Sequence, residues 1–210
     1  DQLNNTTHTA SLVISADDTS CSFSTNSIPN HDFNDGQYSF PNNVAAVTES
    51  YTITRNPQIA DSTTDLTLGM DNAIFLNGAK LDLLAAACRG IPVGETNSPG
   101  YEKIGCDDNA TGSYSQLWRF DPMHAANVFN TDTNNAHAQP DGGYHYHGAP
   151  NKLYNTQQFA VIGFAADGFA IMAPSLQDGS ATQSSYKLIE GDRPNGVANS
   201  ASDTNTQYNG

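Results

Sequence analysis

Basic residues are scarce: eight Lys and Arg stand against 22 Asp and Glu in 210 residues, a formal net charge of −14. Without a Lys/Arg cluster the chain lacks the electrostatic footprint of a nucleic-acid binder, and an anionic membrane surface would repel it. Charged residues of either sign make up only 14% and apolar residues 37%. No apolar run approaches the ~18 residues of a membrane-spanning helix, so membrane insertion is not expected. The Glu, Lys and Leu wealth of a coiled coil is missing as well. So are G-x-S-x-G, a Walker loop, G-x-G-x-x-G, H-E-x-x-H and CxxC, which removes support for serine-hydrolase, nucleotide-binding and zincin readings.

Cysteine is sparse too. Cys21, Cys88 and Cys106 allow at most one disulfide within the chain. Cys88 and Cys106 enclose a Gly/Pro-rich loop, and a crosslink there would stabilise it by about 3 kcal/mol. That pair is the expected disulfide, leaving Cys21 buried or outside the chemistry. The chain begins at Asp1 in a polar stretch with no signal peptide in view. A processed secreted or periplasmic protein has this form, as does a trimmed chain, and export is the expectation.

What the sequence does contain is Asn, Thr, Ser, Gly and Asp, the residues of turns and loops. Of its acids, 18 are Asp and four are Glu. The composition predicts a mainly β or α+β fold: a single β-rich domain over residues 1–190, with one or two short helices and long loops. Residues 191–210 have little to bury and read as an extended or weakly docked tail.

Strands are predicted at Ser11–Ile14, at Glu49–Arg55, where apolar and polar residues alternate, and at Phe159–Ala165, whose apolar run suggests burial on both faces. A turn at Asp167-Gly168 leads into Phe169–Met172. Apolar runs on either side of Asn77-Gly78 signal a hairpin. Asp121 followed by Pro122 reads as a cap and first position of a short helix to about Phe129.

The densest chemistry lies at His137-Ala138-Gln139-Pro140-Asp141-Gly142-Gly143-Tyr144-His145-Tyr146-His147-Gly148. The Tyr-His-Tyr-His alternation places His145 and His147 on one face of a strand and both tyrosines on the other. Pro-Asp-Gly-Gly is turn chemistry. If residue 141 is the apex, His137 lies opposite His145 on the same face and three imidazoles converge. That is the ligand set of a zinc site with an open position, or of a copper site. A register slip by one residue removes His137 from the cluster. Ordinary imidazoles titrate near 6.5, so such a site would shed metal in mild acid. The alternative is an aromatic hairpin whose histidines bond to Asp or backbone.

His31, beside Asp32 in a Pro turn, is a candidate fourth ligand. His124 is a weaker candidate in the first helical turn, and His8 near the terminus is set aside. Asp107-Asp108-Asn109 imitates the start of an EF-hand loop, but Trp118 occupies the position of the bidentate Glu. Asn4, Asn5 and Asn109 open N-x-Ser/Thr sequons.

At the histidine segment the chain resembles the YHYH-domain proteins. His137–Gly142 leading into Tyr144–Gly148 and Pro150 is similar to the family's core motif, and Ile162–Phe169 to its downstream signature. Ala73–Gly78 and Asn26–His31 match upstream pieces more loosely. The resemblance implies an exported protein with a metal site, carried by His137, His145, His147 and His31, and draws attention to Asp167 as a partner for an imidazole. The chain departs from the family in carrying Ala170 where Pro is common, and in lacking a second Asn-Gly and aromatic-His segment before Gly210.

Three functions follow as expectations. The first is a secreted metal-binding protein, with zinc or copper as the divalent ion, serving acquisition, storage or buffering. The second is a metal-dependent hydrolase in which a three-histidine zinc ion activates water. Glu95, Glu102, Asp141 or Asp167 would be its base, and Tyr144 or Tyr146 its oxyanion donor. The third is an extracellular carbohydrate- or surface-binding module using Trp118, Tyr114 and Phe120 as a stacking platform.

Overall fold

The computed structural model describes residues 3–36, 38–64, 66, 69–84, 121–123, 129–154, 158–185, 188–189 and 208–209. The Cys88–Cys106 pair, His124, the Asp107 loop and the platform of Tyr114, Trp118 and Phe120 lie outside those residues. So does most of the expected helix; at its start, Asp121 Oδ1 accepts the Met123 amide at 2.8 Å, as a cap would. Among the described residues there is no helix, and the fold is a β-rich domain.

Three strands form the first sheet in the order β1-β2-β3: β1 (Leu12–Ala16), β2 (Ser20–Thr25) and β3 (Glu49–Thr54), all antiparallel. Their alternation is legible in burial: Phe23, Thr25 and Ile53 point inward, while Ser22, Ser24, Thr52 and Thr54 face solvent. A six-stranded sheet holds β4 (Ala73–Phe75), β5 (Lys80–Leu81), β6 (Ala136–Ala138), β7 (Tyr144–Tyr146), β8 (Val161–Ala165) and β9 (Ala170–Met172). Its order is β6-β7-β5-β4-β8-β9. A short ladder joins β10 (Leu188–Ile189) to β11 (Tyr208–Asn209).

The Asn77-Gly78 hairpin forms as predicted, joining β4 to β5. Gly78 has φ +86, and a Cβ there would meet Thr25 Oγ1 at 2.5 Å, so glycine serves both the turn and the close approach of β2. The strand after residue 159 also forms. It begins at Val161, and both Val161 and the preceding Phe159 are more exposed than the apolar run suggested: Phe159 is 51% and Val161 39% accessible. Only the middle of that strand is sheltered.

Pairing defines what each face of the large sheet carries. One row of partners crosses it as Ala170–Phe164–Ile74–Lys80–His145–His137. At its apolar end Ile74 and Phe164 pack with Phe23 and Ile53 of the first sheet. In the middle, Lys80 Nζ is 3.1 Å from both Glu49 on β3 and Asp71, an ion pair that ties the two sheets together. At its other end come the histidines. The opposite face holds Phe75, Ala136, Ala138, Tyr144 and Tyr146, covered by Ile28, Phe33 and Val44 from the chain between β2 and β3.

One carboxylate holds this second layer together. Asp132 Oδ1 accepts the amides of Asn134 at 2.8 Å and Ala136 at 3.3 Å, while Oδ2 accepts the Tyr144 hydroxyl at 2.9 Å and the Asn34 amide at 3.2 Å. Four donors from three segments would be stranded in a dry site without it. Asp132→Ala is therefore expected to lower unfolding free energy by about 3 kcal/mol. Chemical denaturation checks this, and a midpoint within error of wild type would contradict it.

Candidate metal centre

The strands β6 and β7 are joined through Gln139–Gly143. Gly142, at φ +97, takes the left-handed position of the turn, and a Cβ there would lie 2.5 Å from Ala45. Gln139 and Gly143 close the loop by a 2.9 Å backbone bond, and Asp141 Oδ1 accepts the Gly143 amide at 2.9 Å. Residue 141 is thus the apex, and the register is Ala136↔Tyr146, His137↔His145, Ala138↔Tyr144. This is the register in which three imidazoles converge.

They do converge. The ring centroids of His137, His145 and His147 form a nearly equilateral triangle, with sides of 4.7, 4.8 and 4.9 Å. Nε2 of His147 lies 3.1 Å from Nε2 of His145 and 3.1 Å from Nε2 of His137. His145 and His147 are buried, and His137 is half-buried.

The outer ring nitrogens explain the orientation. His137 Nδ1 is 2.7 Å from the Phe129 carbonyl, His147 Nδ1 is 2.6 Å from the Asp82 carbonyl, and His145 Nδ1 is 3.4 Å from the Gly143 carbonyl. A carbonyl only accepts, so each Nδ1 carries the proton and each Nε2 presents a lone pair. Three lone pairs therefore face one point with no hydrogen among them. The donor set fits a cation: at the usual metal–imidazole distance of about 2.0–2.1 Å, a tetrahedral arrangement spaces nitrogens by about 3.3 Å. The backbone carbonyls are the outer partners that histidine ligands characteristically have.

Burial governs the charge of these rings. Desolvation holds His137 below its ordinary range. Desolvation, then the neighbouring His147 and His137, holds His145 well below it, and the Lys80 ammonium adds in the same direction. His147 is pushed down to about 3, by desolvation first and His137 second. The rings are thus neutral near pH 7 and competent to ligate, and protons compete less than at exposed histidines.

His31, expected as a possible fourth ligand, is elsewhere. It lies on the tyrosine side of the sheet, its Nε2 2.5 Å from the Tyr146 hydroxyl and its Nδ1 2.7 Å from its neighbour's carbonyl at Asp32. The geometry is self-consistent: Nδ1 donates to the carbonyl, Nε2 accepts from Tyr146, and the Tyr146 oxygen accepts from Asn77 Nδ2 at 2.7 Å. Both tyrosines are wholly buried on that face, with Tyr144 donating to Asp132. They therefore point away from the imidazoles and cannot supply an oxyanion donor there.

Asp141 is spent in its own turn, and Asp167 Oδ1 lies 3.5 Å from the Phe169 amide in the β8–β9 turn. Glu95 and Glu102 lie outside the described residues. Among the described residues, no carboxylate joins the three-histidine group. Reading the sequence alone misses Asp132, Lys80 and the carbonyls of Asp82 and Phe129. The Asp-Thr-Asn turn before β6 offers a signal for Asp132; a main-chain carbonyl leaves none.

A small β protein carrying a buried trihistidine tripod on a tight hairpin is the class these features define. The chain belongs to the YHYH family: the family model described as YHYH protein matches residues 50–210. No curated protein and no solved structure matches it.

The depressed imidazoles carry a pH signature. In the unfolded chain they titrate near 6.5, whereas in the fold they resist protonation. Metal-free protein therefore keeps this stability above about pH 6.5 and loses it as pH falls toward the folded values, because the unfolded chain takes up protons that the native one refuses. Asp82, raised to about 6 by desolvation, works in the opposite sense below that pH. Comparison with His147→Gln isolates the histidine part: the wild-type denaturation midpoint should fall more steeply between about pH 7.5 and 5 than the variant's. Parallel pH profiles would contradict it.

Proposed function

We infer that this is a metal-binding protein in which His137, His145 and His147 hold one divalent ion, zinc or copper. One observation carries the reading: each ring donates outward through Nδ1 to a backbone carbonyl, leaving three Nε2 lone pairs within reach of a single centre. Neutral imidazole suits both metals, and a tripod with three protein ligands is the arrangement that keeps a further position for an exogenous group. When bound, the metal supplies a positive centre that neutralises the crowded lone pairs. The chain's own part is to fix the tautomers, exclude water from His145 and His147, and keep the rings unprotonated.

Acquisition, storage or buffering of the ion outside the cytoplasm is the role that fits. The acidic, Asn- and Thr-rich chain supports an exported setting, and the site has ligands without an attached general base among the described residues. A steep dependence on any one ligand is expected, exceeding the roughly 10–100-fold loss that follows removal of an outer hydrogen bond.

Elemental analysis of protein purified without added metal tests this. Wild type and His31→Ala are expected to hold stoichiometric zinc or copper, and His145→Ala to hold almost none. Negligible metal in the wild type, even after equilibration with each ion, would end the proposal. Retention by His145→Ala would place the ion elsewhere.

A further inference from the structure

On the tyrosine side of the hairpin, a cleft of about 860 Å³ opens between Asn5–Ala10 and Pro29–Phe33, with Lys152 also lining it. It is an open hollow at the surface rather than an enclosed cavity. His31 forms part of the wall, and both of its ring nitrogens are committed within the protein. It is a fixed surface rather than a free donor. His8 leans on Phe33 beside it, with ring centroids 5.7 Å apart.

The remaining lining is rich in neutral polar groups, among them Asn5, Thr7, Thr9 and Asn30, with Asp32 as its one carboxylate. Lys152 is the unusual member. The described residues include three Lys and Arg: Arg55, Lys80 and Lys152. Lys80 sits between Glu49 and Asp71, each at 3.1 Å. Arg55 donates to the Asp17 carbonyl. Lys152 makes no ion pair among the described residues, although the chain carries a formal net charge of −14. An acidic protein thus places a lysine with no ion pair among the described residues in the lining of a hollow whose other polar side chains are threonines, asparagines, histidines and Asp32.

We propose that this cleft binds a small polyhydroxylated carboxylate of the uronic-acid class. Lys152 takes the ligand's carboxylate, and the threonine, asparagine and Asp32 groups take its hydroxyls. A neutral sugar would leave the ammonium unused, and a bare short carboxylate would leave most of the wall unused. The site is independent of metal occupancy, because it lies on the other side of the sheet from the imidazoles.

Calorimetric titration of the full chain with glucuronate tests it, with glucose and acetate as probes of the two halves of the ligand. Glucuronate is expected to bind saturably, at least about tenfold tighter than either half, and about tenfold or more weaker in Lys152→Met and Lys152→Glu. Lys152 is exposed, so both variants are expected to keep the wild-type unfolding profile. Absence of saturable glucuronate binding overturns the proposal. So does equal binding of glucose or acetate, or affinity indifferent to both Lys152 variants.

Discussion

The register of the β6–β7 hairpin is the constraint from which the rest follows. In the observed pairing, Ala136, Ala138, Tyr144 and Tyr146 enter the core, and His137 and His145 share the other face with His147. A slip by one residue would turn two wholly buried tyrosines outward and drive the imidazoles into an apolar layer. Burial of each large apolar side chain is worth roughly 1.5–3 kcal/mol, so the packing on one face fixes the geometry on the other. Gly142 and the Asp132 bonds secure the same register from the turn and from the base of the hairpin.

Seen this way, the alternating tetrapeptide divides its labour. The phenols are structural: Tyr144 satisfies Asp132, and Tyr146 bridges Asn77 and His31, so no hydroxyl is buried without a partner on that side of the hairpin. The imidazoles are arranged less comfortably. Their outer nitrogens are satisfied by carbonyls while their inner lone pairs crowd together, which is costly for a buried polar cluster unless a positive centre lies between them. Two of those carbonyls, at Asp82 and Phe129, belong to segments far apart in sequence, so the tripod also gathers chain from either side of residues 83–128.

Much of this was legible beforehand, because the signals were local. Two-residue periodicity assigned the faces of Tyr144–His147, Pro-Asp-Gly-Gly marked the apex, and Asn77-Gly78 marked the other hairpin. What escaped depends on contacts distant in sequence. His31 resembled a ligand because it is a histidine in a turn, yet its ring is drawn across to Tyr146 on the far face. Asp141 and Asp167 lie in the turns that the sequence marked, and Asp141 Oδ1 accepts an amide within its own turn, so the further roles of base or imidazole partner find no support among the described residues. Lys80 gave no signal as a neighbour of His145, since β5 and β7 pair in parallel across more than sixty intervening residues. Main-chain acceptors such as the Asp82 carbonyl have no residue type to read. The exposure of Phe159 and Val161 likewise reflects which strands cover β8, not the strand's own composition.

The tautomer of the three rings is the most direct test of the whole account. Long-range nitrogen–proton NMR correlation on histidine-labelled, metal-free protein at neutral pH reports which nitrogen of each ring is protonated. Protons on Nδ1 of His137, His145 and His147 are expected, with all three Nε2 signals shifting together as zinc is added. Rings protonated at Nε2, with spectra unmoved by zinc or copper, would contradict it.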